Sequence, residues 1–234
     1  MDIVLAYWPH FTLVAGSIGL LLTLPSIVGS KKAVFHYWYL PLFLYMVHMF
    51  EEHGIDLLGR HFAFQAGLCA ILKKASGSET CAATELVIFV VNCGTVVILM
   101  VCAGLWRHTE KFTLLKAGAV GGILINGVSH VVKAKETGYD PGLLTAVLFF
   151  LPCSFWLMYM ESKRNNFVKV FLLSIIMGLQ LHGVLVFSLV LSMKGYFDAS
   201  LLPIIQIVNG FIPLLLTIAQ GEGSAIFEQK TKIV

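Results

Sequence analysis

Charge is scarce in this chain. Thirteen acidic and sixteen basic residues are spread over 234 positions, while 58% of the residues are hydrophobic and the mean hydropathy is +0.85. A soluble domain of this length has too little interior to hide that much apolar surface, so the composition excludes a water-soluble globule and points to a polytopic membrane protein. The net charge is only +3, with no basic stripe interleaved with aromatics, so nucleic acid is not an expected partner. Met1-Asp2-Ile3-Val4 lacks a basic stretch and a small-residue cleavage site, so no removable signal peptide is expected there. Cysteine is also sparse, and the five present have no metal-site spacing. Cys93, Cys102 and Cys153 fall in apolar runs, where a thiol serves as a small filler. Cys69 and Cys81 share one polar segment, where a disulfide and two free thiols are both open. There is no internal repeat and no low-complexity tail, so residues 1–234 read as one membrane domain.

Long apolar runs are what the sequence does have. Seven candidate spans lie near Phe11–Val28, Ala33–Phe50, Ala82–Trp106, Phe112–Val132, Leu143–Met160, Phe167–Met193 and Leu201–Gln220. Residues 54–80 differ: Ile55, Leu58, Phe62, Leu68 and Leu72 alternate with Asp56, Arg60, His61, Gln65, Lys73 and Lys74. That mixture fits an interfacial or re-entrant helix. The expected fold is therefore all-α, a bundle of about seven spans plus this segment. With the N-terminus outside the cytoplasm, ten Lys and Arg fall on the cytoplasmic side and six on the other. That bias predicts a lumenal N-terminus and a cytosolic C-terminus. Lys230 and Lys232, five and three from the end, look like a dilysine retrieval signal of the endoplasmic reticulum, and equally like an ordinary basic flank.

One apolar run ends in His48-Met49-Phe50-Glu51-Glu52-His53. A charged side chain at bilayer depth costs at least about 2.5–3.5 kcal/mol, so such a cluster points to a functional site facing the bundle interior. Residues three and four apart share a helix face, which aligns His48, Glu51 and Glu52, with Asp56 one turn further if the helix continues. The plainer alternative is a helix end in water, its glutamates paired with Arg60 or Lys73. A second cluster, Asn126 and His130, shares a face of the fourth span. It precedes the turn Thr137-Gly138-Tyr139-Asp140-Pro141-Gly142. The second and fourth spans both exit on the non-cytoplasmic side, so the two clusters are expected to converge there. Asn92, His182 and Asn209, with Gln180 and Gln206, lie deeper and are expected to line a substrate cavity. His53 and His61 read as interfacial.

His48-Met49-Phe50-Glu51-Glu52, the Asn126…His130 pair and Tyr139-Asp140-Pro141-Gly142 together resemble the HXXEE family of integral membrane proteins. The resemblance runs from Pro41 to Thr145 and implies a multi-pass protein with an active site at these motifs. It covers neither His182 nor Asn209.

The residues themselves suggest a membrane-embedded enzyme whose partner is a membrane lipid or another apolar small molecule. In the leading reading, His48, Glu52 and His130 hold one divalent metal, zinc by preference, and leave a position for water. Glu51 acts as general base, beside a catalytic Glu52, and Tyr139 or Asn126 stabilises developing negative charge. A metal-free alternative uses a buried glutamate for acid–base chemistry, as in an isomerase or a terpene-type cyclase. A proton-coupled transporter would use the same groups as a relay, and a structural membrane protein is the remaining class.

Overall fold

The computed structural model describes residues 2–29, 33–109 and 111–222. Lys31, Lys32, Lys230 and Lys232, which carry part of the charge bias and the retrieval signal, lie outside them. Among the described residues there are eight helices and no strand. They are α1 (Asp2–Ile27), α2 (Leu40–His53), α3 (Ala63–Ser76), α4 (Glu85–Leu105), α5 (Leu114–Thr137), α6 (Leu143–Ser162), α7 (Phe167–Met193) and α8 (Ala199–Gly221). Six of them, all but α2 and α3, are long and apolar enough to cross a membrane.

The second expected span is realised as a three-residue turn, Tyr37–Tyr39, and the fourteen-residue α2. Pro41 sits in the first turn of α2, where its missing N–H costs nothing. Gly54 ends the helix, three residues beyond the expected boundary. The helix is sheathed by protein: Leu40 to Tyr45 and His48 to His53, apart from Phe50, are buried. α1 covers one side of it, and the fit needs Gly19, where a Cβ would stand 2.1 Å from the Phe43 ring.

α5 and α7 run side by side in the same direction. A Cβ on Gly121 would meet the Ser174 carbonyl at 1.9 Å, and one on Gly178 would meet the Gly121 carbonyl at 2.3 Å. The backbones therefore touch, as small residues permit in membrane helix pairs. Wide π turns interrupt α4 at Val90–Val96, holding Asn92 and Thr95, and α6 at Ala146–Phe150, just after Thr145; a third closes α8 at Ile218–Glu222. Such turns often mark functional positions.

Only part of the expected 54–80 helix is helical. Because α2 stops at Gly54, Asp56 is not on its face, as a continued helix would have placed it. Asp56 instead ties the loop, accepting from the N–H groups of Leu58 at 2.9 Å and Arg60 at 2.8 Å and pairing with the Arg60 guanidinium at 2.7 Å. α3 then packs against α2, with Phe64 edge-on to His53, and against α7 through the cluster that holds Leu72 and Leu189. Cys69 and Cys81 are joined by a disulfide, with their Cα atoms 5.5 Å apart, which fastens α3 to the segment that leads into α4.

Candidate functional site

His48 and Glu52 stand one turn apart on α2, and His130 reaches them from α5. The two imidazole centroids are 5.0 Å apart. Glu52 Oε1 lies 3.4 Å from His48 Nε2 and 3.0 Å from His130 Nε2. All three side chains are buried, at 0%, 3% and 1% exposure for His48, Glu52 and His130. Three ligand atoms, one from each, lie within 4.8 Å of one another.

The hydrogen-bond network assigns the ring protons. The Thr145 hydroxyl carries one hydrogen, and its partners Glu51 Oε2, at 2.7 Å, and the Gly142 carbonyl, at 3.1 Å, can only accept. Toward His48 Nδ1, 2.6 Å away, that hydroxyl is therefore the acceptor, and Nδ1 carries the proton. His130 Nδ1 likewise donates to Asp140 Oδ2 at 2.7 Å, while Lys133 holds Asp140 Oδ1 at 2.5 Å. Two neutral imidazoles in these tautomers turn both Nε2 lone pairs toward Glu52 Oε1. No hydrogen bond satisfies any of the three atoms. Lone pairs facing one another in a buried site repel unless a proton or a cation lies between them.

The spacing suits a cation. Two donors each ~2.1 Å from a tetrahedral zinc stand roughly 3.4 Å apart, close to the 3.0 and 3.4 Å found here. The formal charge suits one as well. Glu51, Glu52 and Asp140 are three buried carboxylates, and Lys133 is the ammonium among them. Two negative charges remain, the amount a divalent ion would balance. The outer contacts follow the common plan of metal-binding histidines, in which the far ring nitrogen donates to an oxygen that fixes tautomer and orientation.

Glu51 faces the other way. It accepts from the N–H groups of Leu144 at 3.0 Å and Thr145 at 2.8 Å, from the Thr145 hydroxyl, and from the Tyr139 hydroxyl at 3.1 Å. Expected as a general base, it is placed as the cap of the first turn of α6. Tyr139 also accepts from the Leu57 N–H at 3.2 Å. Burial, and then the neighbouring Glu51 carboxylate, push its hydroxyl up to about 12 against that bond, so it remains a donor. Expected as a stabiliser of charge, it is placed as a clasp on Glu51. Neither group lines the cavity beside the site.

That cavity has a volume of about 320 Å³. Glu52, His130 and Asn126 form part of its wall, as do Asn92, His182 and Asn209. Two of the deeper residues are fully engaged with protein. The Asn92 carboxamide accepts from Tyr45 and donates to the Ile88 carbonyl and to His53 Nε2. Asn209 accepts from Gln180 and donates to the Leu181 carbonyl and Gln206, which clamps α7 to α8.

Several groups around the site escaped the sequence reading. His53, read as interfacial, is 1% exposed, with Nε2 3.3 Å from Glu52 Oε2. Its spacing from Glu52 gave no warning, because adjacent helical residues do not share a face. Arg60, offered as a partner for the glutamates, pairs with Asp56. Asp140 and Gly142 were visible within the turn motif, and Thr145 just beyond it, without a task. Gly142 has φ +97°, and a Cβ there would come 2.7 Å from both the His48 and His130 rings. The turn backbone is thus part of the site's wall, which only glycine permits.

No curated protein and no solved structure matches the chain. A family model described as a protein of unknown function with HXXEE motif matches residues 38–157, the stretch that carries His48, Glu51, Glu52, His130, Asp140 and Thr145. The chain belongs to the HXXEE-motif family.

Proposed function

We propose that this protein is a membrane-embedded metalloenzyme that hydrolyses a lipid or another apolar substrate. His48, Glu52 and His130 would hold one divalent ion, zinc by preference, and leave a coordination position toward the cavity. The observation that carries this reading is the meeting of three buried atoms, His48 Nε2, Glu52 Oε1 and His130 Nε2, that no hydrogen bond satisfies, each imidazole being held from behind by Thr145 or Asp140. A bound ion of this kind lowers the pKa of a coordinated water to about 7 and polarises a carbonyl, so hydrolysis needs no separate base. Glu51 then acts as a positioning residue that fixes Thr145, and through it His48. Asn126, one turn from His130, is the nearer candidate to meet developing charge.

The disulfide supports a lumenal setting for residues 69–81, since such bonds persist in oxidising compartments. With the Lys and Arg bias, that favours a lumenal N-terminus and site, in the endoplasmic reticulum.

The deciding experiment is elemental analysis of protein purified without chelators. About one zinc per chain is expected in the wild type. His48→Ala, Glu52→Gln and His130→Ala should lose it while remaining folded. Hydrolysis of apolar esters or amides in vesicles should stop on chelation and return with zinc. An active wild type that contains no metal overturns the reading. That outcome would favour the acid–base alternative, supported by the line Asp140–His130–Glu52, with contacts of 2.7 and 3.0 Å, in which one proton on His130 replaces the ion.

A further inference from the structure

The cavity has an opening that the metal centre does not account for. Phe64, Leu68 and Ile71, spaced by four and three residues, place one face of α3 on the cavity wall, and Val186 and Leu189 of α7 stand among the other lining residues. Ile71 is 51% exposed and Val186 45% exposed. Residues that both line a cavity and reach the surface mark its mouth, which lies between α3 and α7. At α3 and α7 its rim is aliphatic, with the exposed Ser129 of α5 also on the edge, and in a bilayer the aliphatic part meets acyl chains.

Inside, two acceptors have no donor among the described residues. Asn126 Oδ1 is buried without a hydrogen-bond partner. His182 Nδ1 lies 2.9 Å from the Gly178 carbonyl, which can only accept, so the ring proton is there and Nε2 carries a lone pair. The packing of Gly121 and Ile125 against Gly178 sets α5 and α7 in register and brings Asn126 and His182 to similar depth. That depth is one helical turn, about 5.4 Å, from His130. Two acceptors at the wall of an apolar space suit a ligand that brings a donor. The volume of about 320 Å³ lies at the small end of ligand cavities, which suits a single chain.

Resting on the metal-centre reading, we propose that the substrate is a single-chain amphiphile with a hydroxyl or amide N–H close to its reacting group, taken sideways from the bilayer between α3 and α7. The reacting group sits at Glu52 and His130. The donor meets Asn126 and His182, and the chain leaves past Leu68, Ile71 and Val186.

The test uses three diazirine probes with wild-type protein in lipid nanodiscs: a long-chain alcohol, the matching alkane, and a two-chain phosphatidylcholine. Adducts are mapped by mass spectrometry, with metal content measured in parallel. The alcohol is expected to label Leu68, Ile71 or Val186 roughly tenfold more than the alkane, the ratio one or two hydrogen bonds supply. Asn126→Leu with His182→Leu should erase that preference. Ile71→Trp, at the exposed rim, and Leu68→Trp, inside it, should each reduce labelling several-fold with metal content unchanged. Equal labelling by alcohol and alkane in the wild type, or by the two-chain lipid, overturns the proposal, as does cavity labelling that Ile71→Trp leaves untouched. Preferential labelling of a wild type that binds no metal upholds the cavity assignment and overturns the metal reading alone.

Discussion

Glu51 and Glu52 are adjacent in the chain, and their carboxylates serve different partners at the end of α2. Glu51 holds the first turn of α6 through two backbone N–H groups. Glu52 faces His48 and His130. The two amide variants should therefore fail differently. Glu51→Gln sets an NH2 against one of the two backbone N–H groups, which only donate, and should cost on the order of 1–3 kcal/mol of stability, with metal retained. Glu52→Gln should lose the metal with a smaller change in unfolding temperature. Thermal unfolding and metal analysis of both variants check this; metal loss from Glu51→Gln alone would reverse the assignment.

Gly142→Ala should be among the most damaging single-methyl changes in the protein. The added carbon collides with both imidazoles, and the positive φ adds backbone strain. Metal content should fall well below one per chain. Gly138→Ala, also at positive φ but with open space around it, should keep its metal.

Asp140 and Thr145 should act on the metal without touching it. Asp140→Asn leaves one oxygen for two donors, His130 Nδ1 and Lys133, and Thr145→Val removes the acceptor of His48 Nδ1; such changes typically weaken metal affinity by about 10–100-fold. Competition with a chelator of known affinity measures the loss. An unchanged affinity would show that neither residue supports a bound ion.

Lumenal exposure of the α3–α4 connection can be read directly. Ser78→Asn completes a glycosylation acceptor with Thr80. It should be modified in cells, and non-reducing peptide mapping should recover Cys69 linked to Cys81. An unmodified variant that reaches the membrane in full yield would invert the proposed orientation.

The 54–62 loop should tolerate acid. Burial pushes the Asp56 carboxyl up, but hydrogen bonds from Arg60 and the Leu58 N–H outweigh this and hold it below the usual carboxylate range. A folded value below the unfolded one means its contribution is present above the unfolded value of about 3.9 and is lost as pH falls through the lower folded value. Exchange protection of the Leu58 and Arg60 amides should thus persist through about pH 4. Asp56→Ala, which removes the oxygen that both amides use, should lose it already at neutral pH.

Much of the architecture was legible because membrane spans announce themselves by length and hydropathy. The six long helices follow the apolar runs, and the seventh run became a short helix that neighbouring protein, rather than lipid, surrounds. The convergence of His48, Glu52 and His130 was legible from helical spacing joined to a count of crossings. The division of labour between Glu51 and Glu52 was not, since neighbours on a helix differ by about 100° and only the partners decide which way matters. Nor was the role of Gly142, because nothing local marks a backbone that touches two rings from distant helices. His182 and Asn209 looked alike as polar residues in apolar runs. Only their partners separate a clamp from a group left open to a ligand.

The groups that would bind and orient the ion all fall within residues 38–157, whereas His182, Leu185, Val186 and Leu189, with Gln206 and Asn209, bring the opposite wall from α7 and α8. On the proposed reading the reactive groups lie on the first length, while fit is shared between Leu68, Ile71 and Asn126 on that length and the wall that the second length brings. A relative that altered the second length would reshape one wall for a different guest and keep the ion-binding groups of the first, much as a lock keeps its bolt when the cylinder is replaced.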